Sequence, residues 1–188
     1  MSVVRTILFP FEIQGKFFDG YAWAVELANR THAKLQLFTT KDRKGNDAIP
    51  GNDLFQVLLE AQGHYLQYYH HEDRRSSESR PEPIIVTGDL KEALINYLDD
   101  NRVDILIVDA SLQADRKQIR EITAHASAAI VLPKSARGLR GIPRSDRFLD
   151  TLRRAELHRL PDNFFDTLGQ DRSVFNYLRK LFQGNQSS

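Results

Sequence analysis

Cysteine is absent from the sequence. Its absence excludes a disulfide framework, a thiolate zinc site and a cysteine nucleophile together. Long hydrophobic runs are missing too: no stretch approaches the roughly 20 apolar residues that a membrane-spanning helix needs. The apolar run from Met1 to Pro10 is too short for a signal peptide, and charged residues follow it closely. The expectation is a cytoplasmic protein with no membrane partner. An excess of one charge is also lacking, since 26 Lys and Arg face 25 Asp and Glu for a net charge of +1. A near-neutral chain makes a poor general binder of nucleic acid, whose affinity rests on many phosphate contacts.

What remains is an ordinary globular composition, 41% hydrophobic and 27% charged. At 188 residues the chain holds one domain and an appendage, but not two full-sized domains. Its charge is unevenly spread. Residues 1–133 carry 15 Lys and Arg against 19 Asp and Glu, whereas residues 134–188 carry 11 against 6. The change of sign predicts a main domain over 1–133 and a basic linker with a helical C-terminal extension over 134–188.

Within the main domain, strands and helices alternate. The nearly continuous apolar run Val3–Phe11 predicts a strand buried on both faces. From Phe17 the spacing turns helical, with Tyr21, Ala22, Val25 and Ala28 on one side. Lys34–Thr40 predicts the second strand and Lys41–Asn52 a loop. Leu54, Leu58, Ala61, Tyr65 and Tyr69 then mark a helix that dissolves into the polar stretch 70–83. Ile84–Thr87 predicts the third strand, and Asp89 with Glu92 a capping box opening a helix through Asn101. Asp104–Val108, a polar helix over Gln113–His125 and Ala128–Leu132 complete the set. The pattern predicts an α/β fold, a five-stranded parallel sheet with helices on both faces.

After Pro133 the chain is basic and broken by Gly138, Gly141 and Pro143. Ser145 then reads as the cap of a helix that turns Phe148, Leu149, Leu152 and Leu157 inward. Two more short amphipathic pieces follow, at 162–168 and 173–182. Pieces this short must bury their aromatics against the main domain, a second copy or another protein.

The wording of these elements resembles the universal stress protein family over residues 3–133. Ile7-Leu8-Phe9-Pro10-Phe11-Glu12 is similar to that family's opening strand, ILVPVD. Ala22–Leu37 resembles its ALEWALELAKRLGAELHLL, and Gly88-Asp89-Leu90 with Val103–Val108 its GDPAEAI…ADLIVMG. His125-Ala126-Ser127 leading into Ile130-Val131-Leu132 resembles its HAPCPVLVV. The resemblance implies a Rossmann-like sheet and a homodimer in which the fifth strand pairs across a two-fold axis.

ATP-binding members of that family follow the fourth strand with a loop of pattern G-x2-G-x9-G-[ST], whose backbone N–H groups hold the phosphates. The matching stretch here, Asp109–Lys117, contains no glycine and is shorter. Asp109 stands where the first glycine would be, and Arg116-Lys117 replace the closing Gly-[ST] pair. A carboxylate facing phosphate is repulsive. The expectation is a variant that does not bind ATP and needs no cofactor. Glu12 matches the acidic position that meets adenosine in binding members.

Other candidate sites are nonspecific. His64, His70 and His71 with Glu72 and Asp73 are the most metal-like cluster, yet no carboxylate stands at the helical step between His64 and His71. They fit a solvated helix end. Asp109, Ser111 and Asp115 follow a strand's C-terminal end, where open α/β sheets place their ligands, but no local His or Lys serves as base. Arg116, Lys117 and Arg120 offer positive charge at the same rim. Glu12, Asp109, Arg116 and Lys117 are therefore the ligand-binding candidates; no catalytic or metal-ligating residue stands out. The reading is a noncatalytic regulatory or interaction module that self-associates or meets another protein. Its alternative is a module that binds a nucleotide or another small anion through a reorganised rim at the strands' C-terminal ends.

Overall fold

Apolar runs without alternation become strands covered on both faces. The computed structural model describes residues 6–12, 18–41, 56, 58–61, 63, 81–133 and 147–158. Strands β1 (Thr6–Pro10), β2 (Lys34–Lys41), β3 (Glu82–Thr87), β4 (Ile105–Val108) and β5 (Ala129–Val131) pair in parallel. Their odd and even positions serve opposite layers. Ile7, Phe9, Ile105, Ile107 and Ile130 point into one core, with helix α1 (Phe18–Thr31) over it. Leu8, Leu106, Val108 and Ala129 point into the other, beneath α2 (Leu90–Asp100) and α3 (Arg116–His125).

Local chemistry sets the helix ends. Asp89 caps α2, its side chain accepting from the Glu92 N–H at 3.0 Å. Gly88 precedes it at φ 128°, a backbone state that a side chain would strain. The helix expected from Leu54 is described between residues 56 and 63, where Ala61 is buried in the α1-side core. None of the described helices is long and apolar enough to cross a membrane.

The sheet departs from expectation at one edge. Beyond Pro133 the described chain continues as α4 (Arg147–Arg154) and then β6 (Glu156–His158), which pairs antiparallel with β5. Among the described residues the order is β3-β2-β1-β4-β5-β6, six strands rather than five. Leu157, expected on the helix, lies in β6 opposite Ile130. The helix stops at Arg154 because β5 offers unpaired backbone groups that three extended residues can satisfy.

Phe148 anchors this return to the sheet. Its ring stacks on the Trp23 indole, with centroids 4.8 Å apart and planes 10° off parallel. The Arg30 guanidinium covers the other face at 4.6 Å, held by the buried carboxylate of Glu26 at 2.7 Å. Trp23 Nε1–H donates to the Phe148 carbonyl at 3.1 Å. Residues 147–158 thus belong to the same sheet and core as the main domain. The linker at 134–146 and the amphipathic pieces beyond 158 lie outside the described residues.

Candidate functional site

In an open α/β sheet the ligand crevice opens at the strands' C-terminal ends, where the strand order reverses. Here that point lies between β1 and β4, because α1 covers one face and α3 the other. Asp109 follows β4 directly and is only 9% exposed. Its Oδ1 accepts from the Ser111 N–H at 2.9 Å and from the Ser111 hydroxyl. Its Oδ2 lies against Gly20 in the first turn of α1, so close that a Cβ there would sit 2.6 Å from the Asp109 Cγ. Gly20 makes room for this carboxylate at the switch point. A negative group beside a helix N-terminus is favoured by the helix dipole.

The stretch after Asp109 is compact. Ala110–Leu112 forms one 3-10 turn capped by Asp109, and Gln113 reverses the chain at φ 48°. Asp115 then closes the N-terminus of α3 with a full capping box. Its carboxylate accepts from the Gln118 N–H at 2.8 Å, and its own N–H donates to Gln118 Oε1 at 2.9 Å. The helix expected from Gln113 therefore starts three residues later, at Arg116. That box was readable as Asp-x-x-Gln, but placing the helix start at Gln113 concealed it.

Charge divides the rim. Glu12 follows β1 and Asp89 follows β3. Partial burial raises the Glu12 pKa above the usual carboxylate range, and the Asp89 charge adds to the effect. Burial pushes Asp109 up to about 6 against the lowering pull of its Ser111 hydrogen bonds, with Asp19 raising it further. The β1 side of the rim is acidic. The β5 side is mixed: Arg116, Arg120 and Arg154, together with Asp109, Asp115 and Glu156, border a cleft of about 800 Å³ between α3 and β6. Arg116 is one of the expected rim residues and joins this cleft; Lys117 is exposed and does not line it. His158 and Arg154 had no sequence signal, since they reach the rim only through β6 and α4.

Ser111 is 1% exposed and turns its hydroxyl inward to Asp109. No group of His, Asp or Glu able to hold a metal occurs among the described residues. His64, His70, His71, Glu72 and Asp73 lie outside them.

No protein-family model matches the chain, and no curated protein matches its sequence. Solved structures do. A universal stress protein in complex with cAMP is similar at TM-score 0.51 and 15% identity, over 71% of this chain and 100% of that one. The fold is that of a universal stress protein. Universal stress protein UspA from Lactobacillus plantarum is similar over 70% of this chain and 97% of its own, at 16% identity and TM-score 0.46. The shared fold is the one that the sequence resemblance implied.

Proposed function

We propose that the chain is a noncatalytic regulatory module on a stress-protein fold that has given up the ATP phosphate site. One observation carries this reading: the chain's own carboxylates occupy both helix N-termini that face the switch point. Asp109 rests on the first turn of α1, and Asp115 caps α3. A triphosphate there would have to displace the cap and lie beside Glu12, Asp89 and Asp109. Like charges at close range oppose such binding. The buried, inward-facing hydroxyl of Ser111 supports the noncatalytic part of the reading.

Self-association belongs to the same proposal, with its surface changed. The β5 edge, through which a homodimer was expected, is taken by β6 of the same chain. A second copy would have to displace β6 or use another surface. Isothermal titration of the full chain with magnesium-ATP tests the reading. No saturable heat is expected, and low-micromolar affinity would overturn it.

A further inference from the structure

The cleft between α3 and β6 adjoins the switch point, with Asp109 and Asp115 on its border, and its far wall is built by Arg154, Glu156 and His158 as residues 147–158 return to the sheet. Its floor is apolar, formed by Ile119 of α3 with Val131 and Leu132 at the end of β5. Its volume, about 800 Å³, is ample for a small molecule.

The polar groups around it are unequally committed. Asp109 accepts from Ser111, and Asp115 accepts from the Gln118 N–H. Glu156 lies 3.8 Å from Arg116 and 3.7 Å from His158, beyond hydrogen-bond reach of either. Two of the three carboxylates are thus engaged within the fold, and the third is loosely shared. Among the nitrogens, Arg154 pairs with Asp150 at 3.0 Å, but the others are not matched in this way. Arg120 has no acidic partner among the described residues, and Arg116 has only the long contact to Glu156. His158 Nε2 is buried without a hydrogen-bond partner. A buried polar atom left unpaired is unfavourable, and an incoming oxygen would satisfy it. Guanidinium groups present planar forks that match carboxylate and phosphate oxygens.

We propose that this cleft binds a small organic oxyanion, a carboxylate or phosphate group on an apolar body. The oxyanion lies among Arg116, Arg120 and His158, and the body lies on Ile119, Val131 and Leu132. Because one wall is β6, the ligand bridges the edge strand to α3. Binding then stabilises the docked state of residues 147–158 by mass action. The cleft thereby couples a small anion to the order of the C-terminal segment.

The test uses the full chain and three probes sharing one ring: phenylacetate, phenyl phosphate and the uncharged phenylacetamide. Calorimetry is expected to give a single site for one of the two anions with Kd below about 1 mM, and at least roughly tenfold weaker binding of the amide. Which anion binds more tightly decides between carboxylate and phosphate. Arg120→Gln and His158→Gln should each weaken the anion roughly tenfold. Lys91→Gln, which breaks a surface pair with Glu121 on the α2–α3 side, should leave it unchanged. Hydrogen exchange in 147–158 should slow on addition of the anion, and not in Arg120→Gln. Arg120 is exposed, so its variant keeps the test valid if His158→Gln misfolds. The proposal is overturned if neither anion binds, if the amide binds equally well, or if Arg120→Gln binds like the parent. Magnesium-ATP also carries phosphate, so its titration is repeated in Arg120→Gln: heat lost in that variant reports this cleft, and heat that persists reports the switch point.

Discussion

Replacing Phe148 with alanine removes a ring that is 1% exposed and lies between the Trp23 indole and the Arg30 guanidinium. A buried Phe→Ala change costs about 3–5 kcal/mol through lost transfer energy and the cavity left behind. Aromatic pairing beyond buried area contributes about 0.5–1.5 kcal/mol. The guanidinium over the open face adds about 0.5–1 kcal/mol. These contributions overlap, so the upper part of the 3–5 kcal/mol range is the expectation. The Trp23 Nε1–H bond goes to the Phe148 backbone carbonyl and survives the substitution only while α4 stays docked. Should α4 undock, β6 loses its anchor as well, and β5 regains a bare edge.

Urea denaturation reads both events. Trp23 is the only tryptophan, so its emission reports the stacked site alone, while far-ultraviolet circular dichroism reports the whole sheet. In Phe148→Ala the emission should shift to the red at lower urea than in the parent, with the dichroism midpoint falling as well. In a chain of this length each kcal/mol moves Tm by about 2–4 °C, so thermal melts should show the same loss. Phe148→Leu, which keeps apolar volume without the stacking face, should fall between the two. A loss under about 1 kcal/mol with unchanged emission would mean that Phe148 does not cover Trp23, and the docking of α4 would fall with it.

Asp109→Asn should change how stability depends on pH. Burial pushes the folded carboxyl up to about 6, above its ordinary value of 3.8, so between these pH values the folded state holds a proton that the unfolded state has lost. Stability from this group is therefore fully present below the unfolded pKa and lost as pH rises through the folded one. Urea midpoints measured from acid to neutral pH should decline less in Asp109→Asn than in the parent, and parallel profiles would refute the assignment. Truncation after Lys134 removes α4 and β6, leaving the face of Trp23 and the β5 edge bare. Sedimentation velocity should then show larger species than the full chain at equal concentration; equal mass and solubility would refute the prediction.

Much of the main sheet is written in local pattern. Ile7-Leu8-Phe9 and Ile105-Leu106-Ile107-Val108 are apolar on both faces, which only a covered parallel strand accommodates, and they became β1 and β4. Asp89 marked the start of α2 because its carboxylate can satisfy an N–H three residues on, wherever the helix lies. The missing glycines of 109–117 were equally plain, since a phosphate loop depends on backbone that side chains would block. Other features are not local. Glu156-Leu157-His158 carries no strand signal of its own, and helical spacing placed Leu157 on the preceding helix. It is a strand because β5, folded from residues 25 or more positions earlier, leaves an edge to pair. Trp23 and Phe148 are 125 positions apart and meet only when α4 docks. Asp109 reads as a repulsive residue in sequence, but α1 comes from a distant segment whose Gly20 leaves space for that carboxylate. Sequence determined which segments could bury their faces, because side-chain period and caps act over a few residues. Tertiary structure alone decided which edge was closed, which carboxylate filled the switch point and which cations met across the new cleft, because those contacts join segments that share no local interaction.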